Sequence, residues 1–574
     1  MPRQRLILAI VGALAGASLY LLVRVAAEGV IGQTAAVTAL VFTGTFFTAL
    51  LALTGPMELP RAVPRALGQA LVVAGLVLWA SFRFDSIDGL AGSPLVIVSV
   101  LVLVLIPLPF ILAEDGLGWR DYPALFSAAW GIVMRSTVAW VFVAILWAVI
   151  YLSHALLSLV GIDVIERLIL MPPAIWLITG TAFGLAMAVA LELSDLVSAY
   201  LVLRLLRLLL PVVLVVIVVF LVAVASKGIG AALGGLSMGA ILLLMAGVAA
   251  TLVTSAVDQS DAEATANPFL LRATQALAVL LVMPAALAAL AVWQRVAAHG
   301  WTPDRLFAAS VAALALGYGV TYLVAVLRGR GWMARIRQAN VWMAVALMVL
   351  AALWLTPALN PERISTASQM ARPLEGRTKP QDLDLHALGQ WGRAGSAALA
   401  ELAEKSKTDP ALAKALAKPG VTSPQTLLED PKALRDGLQS ALPVQPATEA
   451  GFRDQILALA EVSDLQNWTQ ACGVALDLGG PGCVLVVADF LPDRPGPEGL
   501  LILNSEGGYL TYTGLAIEAG ALRMLDVDSG TGDLANYEDG AHLIAELQQA
   551  LPALRPVTRN ELAMPVGGAI SLKP

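Results

Sequence analysis

The run Leu208–Ser226, LLLPVVLVVIVVFLVAVAS, decides the fold of this chain. It is nineteen residues long, carries no charge and does not alternate apolar with polar residues. A helix crossing the hydrocarbon core of a bilayer needs about 20 apolar residues, whereas the strands of a transmembrane barrel alternate. The run therefore reads as a membrane-spanning helix. Ten more lie near residues 6–23, 34–54, 66–82, 94–113, 137–157, 168–191, 237–256, 274–293, 305–327 and 340–356, making eleven spans. The run 66–82 is short and 94–113 carries Pro107 and Pro109, so the count turns on these two. Losing only one of them would reverse the orientation of everything after the last span.

Composition supports the same reading. Of 574 residues, 58% are apolar and 14% charged, against about 25% charged in soluble domains. That excludes a single soluble domain and a disordered chain. The net charge of −6 excludes a basic nucleic-acid binder. These averages hide two regions. Residues 1–357 hold 19 Lys and Arg against 15 Asp and Glu, and residues 358–574 hold 17 against 27. The net charges are +4 and −10. The expected fold class is an α-helical polytopic membrane protein of about eleven transmembrane helices with a C-terminal α+β extracytoplasmic domain. Its parts are a transmembrane domain 1–357, a helical segment 358–470 and a small β-rich segment 471–574.

Arg3 and Arg5 before the first run resemble the start of a signal peptide. No small-x-small cleavage site follows and ten more spans do, so the first helix is read as uncleaved. With the N-terminus in the cytoplasm, thirteen basic residues fall on cytoplasmic segments and six (Arg24, Arg83, Arg167, Lys227, Arg295, Arg305) on the outer side. The cytoplasmic excess follows the positive-inside rule, with Arg328, Arg330, Arg335 and Arg337 the strongest group. Residues 358–574 then lie outside the cytoplasm, which for a bacterial inner membrane means the periplasm. Cys472 and Cys483 flank a turn through Gly479, Gly480, Pro481 and Gly482, and in an oxidising compartment they would form a disulfide. Two buried free thiols are the alternative.

In the tail, Asn360-Pro361-Glu362 reads as a helix start, with Asn as N-cap, Pro first and an acid in the first turn. Helical patterns follow near 361–371, 395–406, 425–440 and 448–466. Short strands are expected at Cys483–Phe490, Gly499–Asn504, Gly508–Thr513, Leu522–Val527 and Gly568–Leu572, with a helix at Ala541–Ala550.

The segments His299-Gly300-Trp301-Thr302-Pro303-Asp304-Arg305 and Asn360-Pro361-Glu362-Arg363-Ile364-Ser365, with Ser368-Gln369 beyond, resemble a bacterial membrane family. It is the one catalogued as domain of unknown function four-one-five-three. Asp121-Tyr122-Pro123-Ala124-Leu125-Phe126 with Ala129-Trp130, and the Trp468, Cys472, Cys483 region, fit the same family. The resemblance covers about residue 110 to the end. It implies a polytopic inner-membrane protein with an extracytoplasmic tail, and no activity. Relatives often carry an Asp-rich turn after the second Cys strand, resembling a calcium loop. Here Asp489–Gly499 holds three prolines and an arginine, leaving Asp489, Asp493 and Glu498 as a poor oxygen set.

Candidate chemistry is sparse. Lys227-Gly228-Ile229-Gly230-Ala231-Ala232-Leu233-Gly234 imitates a dinucleotide fingerprint, but a nineteen-residue run precedes it and no acid follows before Asp258. Gly12-x3-Gly16, Gly180-x3-Gly184 and Gly235-x3-Gly239 read as helix-packing faces. His154, His299, His386 and His542 form no metal motif, and no catalytic elbow or P-loop occurs. No metal, cofactor or catalytic residue is assigned. Glu192, Asp195, Arg204 and Arg207 fall at a cytoplasmic helix end, and Thr179, Thr181, Tyr318 and Tyr322 read as packing hydrogen bonds within spans.

One polar cluster stands at the outer face: Arg295, His299, Asp304 and Arg305 around the link after the ninth span, and Arg363 just past the last. Arginines there suit an anionic lipid head group or envelope precursor. Structural roles are the stronger reading: Thr302 caps a helix, Asp304 complements its dipole and the arginines meet lipid phosphates. The function read from the chain is a membrane scaffold, sensor or envelope-assembly component whose acidic outer domain binds an envelope component or a protein partner. A transporter of a lipid or small amphiphile, and a membrane enzyme acting on a lipid-linked substrate, are the alternatives. The bilayer is the one partner that composition alone demands.

Overall fold

The computed structural model describes residues 2–27, 30–84, 87–114, 118–160, 162, 164–193, 199–227, 236–379, 383–407, 412, 431–474, 476, 479–492, 496–504, 510–518, 520–525, 527–528, 540–550, 554–556, 560–563 and 569–572. Two compact units divide the chain, Met1–Val421 and Thr422–Pro574.

Eleven helices among the described residues are long and apolar enough to cross a membrane. Both doubtful spans are present. The third helix runs Leu59–Ser81 because Pro60 is tolerated in a first turn, where no intrahelical N–H is needed. The fourth span, Pro94–Ala113, is two helices, Pro94–Leu105 and Pro107–Ala113, broken where Pro107 removes a backbone donor. The ninth, Pro268–His299, is likewise Pro268–Leu280 followed by Val282–His299. Pro284 explains this break, since its ring collides with the carbonyl four residues back. The fifth, Tyr122–Ser158, has 37 residues and extends about 55 Å, longer than a bilayer core is thick. Large apolar side chains such as Leu209, Val212, Val216 and Val219 of the seventh span are exposed, which only a lipid surround accommodates at this density.

The first helix, Pro2–Ala27, packs on the sixth span, Ala174–Glu192, through two of the expected glycine pairs. A Cβ on Gly12 would lie 2.0 Å from the Gly180 oxygen, and one on Gly184 would lie 2.0 Å from the Leu8 oxygen. Backbone meets backbone there, as small-residue faces permit. Gly239 does not repeat this: a Cβ on it would meet nothing within 4 Å, while Gly235 lies outside the described residues.

After the last span the first unit includes the α-helices Pro361–Leu374, Leu385–Gly389 and Gly392–Ser406. Ile364 and Leu359 pack against Leu95, Leu306 and Trp354, at the ends of the fourth, tenth and eleventh spans.

The second unit is α+β. Strands β1 (Val444–Gln445), β2 (Cys483–Ala488), β3 (Glu498–Asn504), β4 (Leu510–Glu518) and β5 (Ala521–Leu525) pair in that order, with only β1 and β2 parallel. Strand β2 is apolar throughout because both faces are covered. Cys483, Leu485 and Val487 face a core with Leu438, Ile456 and Leu465 of helices Pro431–Ala441, Ala450–Leu459 and Val462–Cys472. Val484 and Val486 face Leu543, Ile544 and Leu547 of helix Gly540–Gln549. Strands β6 (Val527–Asp528), β7 (Leu554–Pro556), β8 (Asn560–Ala563) and β9 (Ala569–Leu572) form a second sheet, ordered β6-β9-β8-β7. A disulfide joins Cys472 to Cys483. For a loop of this length the chain-entropy model assigns it roughly 3 kcal/mol.

Candidate functional site

The two segments that carried the resemblance meet each other. Helix Val282–His299 ends at Gly300, whose φ of 75° is a conformation glycine adopts without strain. A Cβ there would lie 2.7 Å from Gln369 Nε2 and 3.0 Å from Arg372 Cδ. Helix C-termini leave carbonyls without intrahelical donors, and side chains fill that need here. Arg372 Nη2 donates to Ala298 O at 2.7 Å, and Gln369 Nε2 to His299 O and Trp301 O, both at 2.9 Å. Arg305 Nη1 donates to His299 O at 3.1 Å and Gly300 O at 2.7 Å. In return Trp301 N–H donates to Ser368 Oγ at 3.0 Å.

The helices that follow begin alike. Thr302 Oγ1 accepts from Arg305 N at 3.3 Å and Asn360 Oδ1 accepts from Arg363 N at 2.9 Å, with Pro303 and Pro361 next. Asp304 and Glu362 occupy the two first turns but have different surroundings. Asp304 is exposed, whereas Glu362 is 3% exposed. Glu362 Oε2 lies 3.5 Å from Arg83 Nη1, and neither atom makes a hydrogen bond among the described residues. Arg83 also donates from Nη2 to Trp354 O at 2.9 Å, tying the third span to the eleventh. Burial pushes the Glu362 carboxyl above its ordinary range, with Arg83 opposing, and burial pulls Arg83 down.

These segments enclose a cavity of about 880 Å³ lined by Arg295, Asp304, Arg305, Glu362, Asp384 and Trp391, among others. An adjoining cavity of about 250 Å³ is lined by His299, Arg305, Gln369, Arg372, Asp384 and Trp391. Of the residues expected from sequence, Arg295, Asp304 and Arg305 share the larger cavity and His299 joins Arg305 at the smaller. Arg363 lines neither and its side chain is exposed. Arg295 and Arg372 lie close enough to Arg305 to repel it. Arg295 is half-buried and makes no hydrogen bond or ion pair among the described residues. Sequence reasoning missed Glu362, Asp384 and Arg372 as lining groups and Arg83 behind them. Glu362 read as an acid in a helix's first turn, and Asp384, which caps its helix by accepting from Ala387 N at 3.0 Å, had no reading from sequence. That Arg83 belonged to the same membrane face was the one available signal.

The opposite end of the bundle is polar too, but its groups satisfy one another. Arg207 pairs with Asp258 and donates to Ser255 O at 2.9 Å. Arg337 donates to Val257 O and Asp261 Oδ1, both at 2.7 Å, and Arg5 pairs with Glu192. Tyr322, fully buried in its span, donates to Asn340 Oδ1 at 2.6 Å, the packing role expected of it. Arg135, buried in the fifth span, donates to Ala52 O at 3.2 Å.

In the second unit Glu498 Oε2 accepts from Phe490 N at 3.0 Å and Leu491 N at 3.1 Å, so that carboxylate closes a turn. Asp493 and Gly228–Gly234 lie outside the described residues, as does the side chain of His386. Among the described residues no three His, Cys, Asp or Glu side chains gather as a metal site.

No curated protein and no solved structure matches the chain. A family model does, over residues 9–402. The match starts inside the first helix, well before Asp121, and stops inside helix Gly392–Ser406, ahead of Trp468, so it does not reach the disulfide region. With matched residues covering more than half its length, the chain belongs to the family described as domain of unknown function DUF4153.

Proposed function

We propose that this protein is a membrane scaffold or sensor of the cell envelope that holds the anionic head of an amphiphile at one end of its helical bundle. Arg295 carries the reading. The arginines around it spend donors on backbone carbonyls, whereas this one lines an 880 Å³ cavity and makes no hydrogen bond or ion pair among the described residues. Pockets for small ligands run about 300–1,000 Å³, and guanidinium pairs bidentately with phosphate or carboxylate. The acidic residues 358–574 then form the part that meets a protein partner.

In this reading the cavity and the tail face the periplasm across a bacterial inner membrane, with the N-terminus cytoplasmic. The distribution of basic residues supports it, as does the Cys472–Cys483 disulfide, which oxidising compartments favour. Alkaline phosphatase fused after residue 370 is expected to be active, and activity of a cytoplasmic reporter there would overturn the orientation. For the site, native mass spectrometry of the purified protein is expected to show a retained phospholipid that Arg295→Ala loses while staying folded. Equal retention by that variant would overturn the ligand reading.

A further inference from the structure

We infer that the cavity takes a zwitterion: a phosphate bound by Arg295 and Arg305, joined by a short linker to a primary ammonium bound at Glu362. The inference rests on the ligand reading proposed above and names the ligand's chemistry.

Charge balance is the first support. Two arginines line the cavity, but so do three carboxylates, Asp304, Glu362 and Asp384. A ligand with only negative charge would meet Arg295 and Arg305 at the cost of facing three acids of like sign. Mismatched charge at a partly desolvated site works against binding, and complementary charge sets specificity. A ligand carrying both signs answers both sets.

Glu362 is the second. It is 97% buried, lines the cavity, and its Oε2 has no hydrogen-bond donor among the described residues. Arg83 stands 3.5 Å away but spends its better-placed donors on the carbonyls of Trp354 and Ala80. Buried acceptors without donors are rare in folded proteins and call for an explanation. Ser365 Oγ and Thr366 Oγ1, one turn further along the same helix, are buried without partners as well. A primary ammonium brings three N–H donors on one compact charge, whereas a quaternary ammonium brings none. Burial favours the protonated acid, so a cationic ligand arm would also hold Glu362 ionised.

The same chemistry occurs in a membrane phospholipid head group and in a free aminoalkyl phosphate. Titration calorimetry on the delipidated full-length protein in detergent separates them, with phosphoethanolamine, phosphocholine, glycerol phosphate and dihexanoyl phosphatidylethanolamine as probes. Phosphoethanolamine, or its short-chain lipid, is expected to bind at least tenfold more tightly than glycerol phosphate or phosphocholine. Binding of the lipid form alone supports a membrane source, and equal binding of both supports recognition of the head group by itself. Glu362→Gln is expected to abolish the preference for the amine while leaving glycerol phosphate binding in place, and Arg295→Ala is expected to weaken every probe. If Glu362→Gln fails to fold, Asp304→Asn and Asp384→Asn carry the test, each expected to reduce the preference several-fold. Glycerol phosphate binding as tightly as phosphoethanolamine, phosphocholine binding equally well, or a preference untouched by the acid variants would overturn the zwitterion and leave the anion site standing. Failure of every probe to bind the unaltered protein would overturn both.

Discussion

Gln369 donates to the carbonyl of Trp301 at 2.9 Å, joining residues 68 apart in the chain across one end of the helical bundle. The same amide nitrogen serves His299 O. One side chain thus fastens the helix after the last span to the turn between the ninth and tenth.

Replacing Gln369 with Ala leaves Trp301 O to find another donor in a part-buried site, while His299 O keeps Arg305. A loss of about 1–3 kcal/mol is expected. Thermal unfolding in detergent, followed by tryptophan fluorescence near this turn, would show it. An unchanged transition would mean that water replaces the amide fully.

Gly300 and Gly329 offer a matched comparison. Both have positive φ, 75° and 72°, but a Cβ on Gly329 meets nothing within 4 Å whereas one on Gly300 meets Gln369 at 2.7 Å. Ala at Gly329 bears a positive-φ cost of roughly 1–2 kcal/mol, and Ala at Gly300, where ψ is 179°, meets a region essentially reserved for glycine at about 1–3 kcal/mol. Gly300→Ala should be the more destabilising because it also displaces the Gln369 and Arg372 contacts. Equal melting temperatures for the two variants would contradict the packing.

Gly180→Ala should separate the first and sixth helices, since its Cβ would lie 2.2 Å from the Gly12 oxygen. Gly239→Ala, with open space around it, should be neutral or stabilising, because Ala exceeds Gly in helix propensity by about 1 kcal/mol. Parallel measurement of folded yield in detergent distinguishes the two.

The buried pair Arg83–Glu362 sets a pH dependence of definite sign. Burial raises the Glu362 pKa in the folded protein above its ordinary 4.5. A group with a raised folded value contributes its stability below the unfolded pKa and loses it as pH rises through the folded value. Glu362→Gln, which mimics the protonated acid, should therefore be at least as stable as the unaltered protein at neutral pH. Its advantage should vanish on acidification toward pH 4.5. An advantage that grows as pH falls would contradict the assignment.

Much of the fold was legible because hydropathy is local. Nineteen uncharged residues at Leu208–Ser226 specify a span without reference to any other segment. The glycine faces at Gly12 and Gly180 could be read as close-packing surfaces, but not as partners of each other. Gly239 shows that spacing alone does not create a contact. The site was half legible. Arg295, Asp304 and Arg305 declared themselves as charges beside one loop. Glu362 was hidden by its role at a helix start, Asp384 lies in a stretch that drew no reading, and nothing periodic links Arg83 to a carboxylate beyond the last span. Strand β1, two residues long, and the second sheet carry too few residues for any alternating pattern to show.

Arg83 reaches the carbonyl of Trp354, 271 residues later. Ribosomes add about 5–20 residues per second, so the arginine is made between roughly 14 and 54 s before its partner. Throughout that interval the end of the third span lacks its lock, and the cavity lacks the wall that Glu362 supplies. The wall that Glu362, Asp384 and Trp391 give the pocket is thus made only after all eleven spans. A nascent chain stalled before Pro361 would hold all eleven spans without this cavity.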